Sequence, residues 1–152
     1  MTVKYYDPYV ATSPLAAKVA TLAELFKVSD YISMHLPLTP ETENLVNADI
    51  LAGAKNGLVV VNTKMPEPEV RAAMKDYKGR LAIVDALTIA LESLKVPITN
   101  TTMVGALLKS SDLVPFDSLV PQINHRFNPK LAERNVAAMK RAFEETKISR
   151  NS

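Results

Sequence analysis

Between residues 57 and 97 the chain runs twice through one pattern: a short apolar run, a turn, then a helical stretch. The first pass is "GLVVVNT" (57–63) followed by "EPEVRAAMKDY" (67–77). The second is "LAIVDA" (81–86) followed by "LTIALESLKV" (87–96), which Pro97 stops. Apolar runs this short suit strands covered on both faces. A helix between two such strands carries the chain back, so that they lie parallel. This alternation predicts an α/β, Rossmann-like fold with about four mostly parallel strands and helices on the sheet.

The rest of the chain extends the pattern. "VKYYD" (3–7) and "DYISMHLP" (30–37) read as the other two strands, closed by Pro8 and Pro37. "TLAELFKV" (21–28) reads as a short helix, with Thr21 as cap and Glu24 three residues on. Residues 39–55 read as helix, with Thr39 as cap, Pro40 in the first turn, and Glu41 and Glu43 at the positive end of the dipole. Beyond residue 98 the strand signals stop and a helical third follows: 100–111, 116–127 with Pro121 near its start, and 129–147. In the last of these, Ala132, Val136, Met139 and Phe143 recur at spacings of four, three and four, one apolar stripe. The 152 residues suit a single domain, 1–150, built of a 1–60 half and a 61–150 half.

Composition narrows the chemistry. There is no cysteine, which excludes disulfides, thiolate metal sites and a cysteine nucleophile. The four glycines, at 53, 57, 79 and 105, are too far apart to make a phosphate-cradling loop. No apolar run reaches the roughly 18 residues of a membrane span, and the start of the chain has no signal-peptide pattern, so the expected location is cytoplasmic. The formal net charge is +2, with six Lys/Arg against three Asp/Glu in 128–150. No aromatic or Gly-rich element accompanies that charge, so it reads as a solvated helix face and no nucleic-acid partner is expected.

"YYDPYV" and "TLAELFKVSDYISMHLPLTPETENLVNADILAGAKNGLVVVNT", together spanning residues 3–63, resemble the D-2-hydroxyacid dehydrogenase family, close to its phosphoglycerate dehydrogenase branch. The resemblance implies part of an NAD-binding Rossmann domain. Asp7 would hold the ribose hydroxyls at a strand end, and Pro37, Leu38 and Thr39 would lie beside the cofactor. The departures are large. The family's first strand and Gly-rich turn precede the Asp-Pro strand and are not found here. Lys64, Met65 and Pro66 stand where the family's substrate-binding arginine is expected, and the catalytic Glu and His have no counterpart in context. Hydride transfer needs a bound nicotinamide, an oriented carboxylate and a proton donor, so no catalytic residue is assigned and no cofactor is expected.

From residue 57 to about 147 the chain resembles a second family, the γ subunit of 2-oxoacid (pyruvate):ferredoxin oxidoreductases. "NGLVVVNTKMPEPEVRAAM", "PITNTTMVGALLK" and "KLAERNVAAMKRAFEE" carry this resemblance. It implies assembly with α, β and δ subunits, which hold most of the thiamine diphosphate and iron–sulfur clusters. The two resemblances overlap across "GLVVVNT". A junction inside a shared buried strand preserves packing on both sides, which points to a chimera, engineered or fused naturally.

Three functional expectations follow. The first is a folded, oxidoreductase-derived scaffold, engineered or de novo, without catalysis of its own. The second is a γ-type subunit that docks on oxidoreductase partners. The third is a weak NAD-binding remnant. The absent first strand would leave a sheet edge open, which predicts a homodimer or strand exchange. Individual side chains have plainer readings: Asp7 and Asp85 as turn or cap residues, Lys64 as a solvated lysine. His35 reads as packed, His125 as a surface group at a helix end, and Met103 and Met139 as core.

Overall fold

The computed structural model describes residues 2–30, 32, 34, 39–43, 45–53, 57–74 and 77–149. They fall into two compact units, Met1–Gly57 with Arg71–Tyr77, and Leu58–Val70 with Lys78–Ser152. Most of the strand predicted over 30–37 lies outside the described residues.

The first unit is made of short elements. β1 (Lys4–Tyr5) pairs in parallel with β2 (Ala17–Lys18). α1 (Leu22–Val28) buries Leu22 and Phe26, one helical turn apart. Its start follows the predicted reciprocal cap: Thr21 Oγ1 accepts from the Glu24 N–H at 3.1 Å, and Glu24 Oε2 accepts from the Ala20 N–H at 3.0 Å. The single helix expected over 39–55 is instead a turn at 40–43 and a separate α2 (Ala48–Ala52). Asn47 caps α2, its Oδ1 accepting from Asp49 and Ile50 N–H groups. Asparagine terminates helical continuity because its side chain competes for these donors. Tyr77 Oη donates to the Gly57 carbonyl at 2.9 Å, and the buried Arg71 donates to the Tyr77 carbonyl at 2.7 Å.

The second unit contains the α/β core. β3 (Leu58–Asn62) and β4 (Arg80–Val84) are parallel, in the register Leu58↔Arg80 to Asn62↔Val84. α3 (Glu67–Ala73) lies between them in sequence, so the predicted strand–helix–strand order is present. β5 (Lys147–Ser149) adds to the other side of β4 and runs antiparallel. β4 is therefore central. Its neighbours Leu81 and Ala82 point to opposite faces and are both 0% exposed. Burial on both faces, expected for "GLVVVNT", belongs to this strand; β3 is half-buried.

Three helices follow: α5 (Asn100–Ser110) packs on β3 and β4, and α4 (Ala86–Leu94) and α7 (Pro129–Glu145) pack on α5 and on each other. A 3₁₀ turn (Phe116–Ser118) and α6 (Val120–Arg126) join α5 to α7, and Pro121 sits in the first turn of α6, where its missing N–H costs nothing. The core is rich in alanine: Val84, Ala86, Ile89, Ala90, Leu94, Ala106, Ala138 and Ala142, flanked by Val60 and Met103. Small side chains let the helices approach closely. At Gly105 of α5 a Cβ would overlap the Met139 carbonyl of α7 and lie 3.2 Å from the Ala142 Cβ. The deepest line on α7 is accordingly Ala132, Asn135, Ala138, Met139 and Ala142. Val136 and Phe143, predicted on the stripe, are half-buried at its margins. Phe143 meets the Phe116 ring edge-on at 5.5 Å, and Lys109 Nζ lies over it at 5.0 Å.

Candidate functional site

Ligands of open α/β sheets collect at the carboxyl ends of the parallel strands, so the functional candidates of the second unit lie after β3 and β4. The parallel register sets Asn62 beside Val84 and so brings Lys64 to Asp85. Lys64 Nζ stands 3.6 Å from Asp85 Oδ2. Asp85 Oδ1 caps α4 by accepting from the Thr88 N–H at 3.0 Å, and Asn62 Oδ1 accepts from the Leu87 N–H at 3.3 Å. Thr63 donates its N–H to the Val84 carbonyl, and its hydroxyl accepts from the Met65 N–H. Partial burial opposes ionisation of Asp85. The Thr88 hydrogen bonds and the nearby Lys64 charge outweigh it and hold the carboxyl below its ordinary value.

This cluster binds itself. Two amides in the first turn of α4, Leu87 and Thr88, are met by the chain's own Asn62 and Asp85. Lys64 remains 71% exposed but has Asp85 as its counterion. Met65, at the place where the dehydrogenase resemblance calls for an arginine, is exposed and offers no charge. Asn62 was not singled out from the sequence. The strand-end position beside the Asp85 helix start was the signal that could have found it.

In the first unit Asp7 closes a turn. One carboxylate oxygen accepts from the Tyr9 N–H at 2.7 Å and the Val10 N–H at 2.9 Å, and Lys18 donates to the Val10 carbonyl. The Tyr9 and Val10 amides, then the Lys18 charge, hold the Asp7 carboxyl below its ordinary value. Thr39 closes another turn. Its carbonyl accepts from Glu43 at 2.8 Å, its N–H donates to Thr42 Oγ1, and its hydroxyl meets the Thr42 hydroxyl at 3.2 Å. No hydrogen bond or ion pair among the described residues joins Asp7 to Thr39. Pro37, Leu38 and His35 lie outside the described residues. His125 is exposed in the last turn of α6, Met139 is fully buried, and Met103 packs against the core.

Among the described residues there is no group of three or more His, Asp or Glu placed to hold a metal, and no helix long and apolar enough to cross a membrane. An open groove of about 390 Å³ lies along α6 and α7, lined by Val120, Asn124, Pro129, Ala132, Glu133 and Val136. Along α4 and the loop after it, Leu87, Leu91, Val96 and Ile98 are exposed.

A family model described as pyruvate ferredoxin/flavodoxin oxidoreductase matches residues 29–145. The chain belongs to this family. The pyruvate/ketoisovalerate oxidoreductases common subunit gamma of Pyrococcus abyssi is 44% identical over 105 residues, 68% of this chain and 57% of that protein. The pyruvate synthase subunit PorC of Thermotoga maritima is 33% identical over 112 residues, 70% of this chain and 58% of that one. The crystal structure of pyruvate oxidoreductase subunit PORC from Thermotoga maritima superposes with a TM-score of 0.64 at 34% identity, covering 70% of this chain and 61% of that one. The chain thus spans a little over half the length of these relatives.

These matches overturn the reading of an engineered or de novo chimera. The family match runs unbroken through residues 57–63, where a junction was expected, so the strand and its flanks on both sides belong to one natural oxidoreductase family. A dehydrogenase likeness persists over a shorter stretch. Hydroxypyruvate reductase of Thermotoga maritima is 40% identical over 63 residues, 41% of this chain and 21% of that protein.

Proposed function

We propose that the chain is a γ-type subunit of a pyruvate-type 2-oxoacid oxidoreductase, acting by assembly with partner subunits and not by chemistry of its own. The family match over residues 29–145, joined to the PORC-like fold, carries this reading. The geometry of the strand ends supports the second part. Asn62 Oδ1, Thr63 Oγ1 and both Asp85 oxygens are engaged by backbone amides and by Lys64, so these side chains serve to tie strand to helix.

The test is reconstitution. The chain is co-expressed with the α, β and δ subunits of an archaeal pyruvate oxidoreductase whose own γ subunit is deleted. Co-elution on size exclusion and restored pyruvate-dependent ferredoxin reduction are expected. A chain that elutes apart from all three, while the native γ subunit co-elutes, overturns the proposal. Light scattering on the isolated chain separates the competing self-association: a mass near the 16.7 kDa of one chain leaves its surfaces free for partners, and twice that mass favours a homodimer.

A further inference from the structure

We draw no further inference here: the strongest candidate, the exposed apolar side chains Leu87, Leu91, Val96 and Ile98 along α4 and the loop after it, is an unpartnered face, and nothing in the structure shows what covers it.

Discussion

In the unit that holds β1, β2, α1 and α2, Lys18 reaches Val10 across eight residues and Tyr77 reaches Gly57 across twenty, but many of the hydrogen bonds that fix turns and helix ends reach only two to four residues along the chain. Asp7 to Tyr9 and Val10, Thr21 to Glu24, and Asn47 to Asp49 and Ile50 are all of this kind. In the unit that holds β3, β4, β5 and α4 to α7, the shape rests on partners far apart in sequence: Leu58 with Arg80, Ala82 with Ile148, Gly105 with Met139. Among the described residues, the first unit buries Val19, Leu22, Phe26, Leu51, Arg71 and Tyr77, and the second has a continuous core. Local capping can specify a conformation residue by residue, but each cap contributes only about 1 kcal/mol. Tight packing contributes more per site and tolerates less change.

The sharpest way to break this contrast is Gly105→Ala. The added methyl has no room against the Met139 carbonyl, so α5 and α7 must separate. A loss of about 3 kcal/mol is expected, at the upper end for overpacked cores, read as a lower urea midpoint. An unchanged midpoint would show that the two helices do not pack at this distance. Thr102→Val tests the same core from the other side. The Thr102 hydroxyl is fully buried and has no hydrogen-bond partner among the described residues, so the near-isosteric apolar residue is expected to raise stability by about 1–2 kcal/mol. A destabilised variant would mean the hydroxyl is satisfied.

A cap in the first unit is expected to behave differently. Thr21→Ala removes the oxygen that receives the Glu24 amide and is expected to cost about 1 kcal/mol. Faster amide exchange confined to α1 is the expected signature; equal acceleration in α4 and α7 would show that the units do not respond separately. Among the described residues, Lys95 is the non-glycine residue with positive φ, 64°, where α4 ends. Lys95→Gly relieves the Cβ crowding of that conformation and is expected to gain about 1 kcal/mol, less the entropy that glycine adds to the unfolded chain.

Acid gives the smallest effect and compares the units directly. Asp7 and Asp85 both have folded pKa values below the ordinary value of 3.8. Their stabilisation is therefore complete above that value and fades as pH falls through the lower folded ones. Carboxyl titration by NMR should place both midpoints below 3.8, and Asp7→Asn should remove the acid response of the Tyr9 and Val10 amides alone.

Much of the local structure was legible because one residue decides each feature. Thr21 with Glu24, Pro121 in a first turn, and the apolar runs of β3 and β4 needed no distant partner. Asn47 caps a separate helix inside the stretch read as one helix from Thr39, because Thr39 and Asn47 can each close a turn and only folding decides which one continues. β5 was hidden in the tail of the last helix. Lys147, Ile148 and Ser149 have no strong strand pattern, and their pairing with β4 makes them a strand. Helical spacing places Val136 and Phe143 on the α7 stripe with Ala132 and Met139, while close approach of α5 selects Ala138 and Ala142. At the strand ends, Lys64 was legible as a solvated lysine and Asp85 as a turn or cap residue, and Asp85 does cap α4. Their pairing was not, because it depends on the register between β3 and β4.

That register and the antiparallel β5 also order the folding reaction. Leu58 meets Arg80 across 22 residues, 80 − 58, while Ala82 meets Ile148 across 66, 148 − 82. Closing a loop three times longer costs about 1 kcal/mol more in chain entropy. On a translating ribosome the β3–β4 pair can form well before β5 has been made, and until then one side of β4 is left without that strand. The nascent chain passes through a stage in which its most deeply covered strand has an open edge, and that stage is its moment of greatest exposure to mispairing.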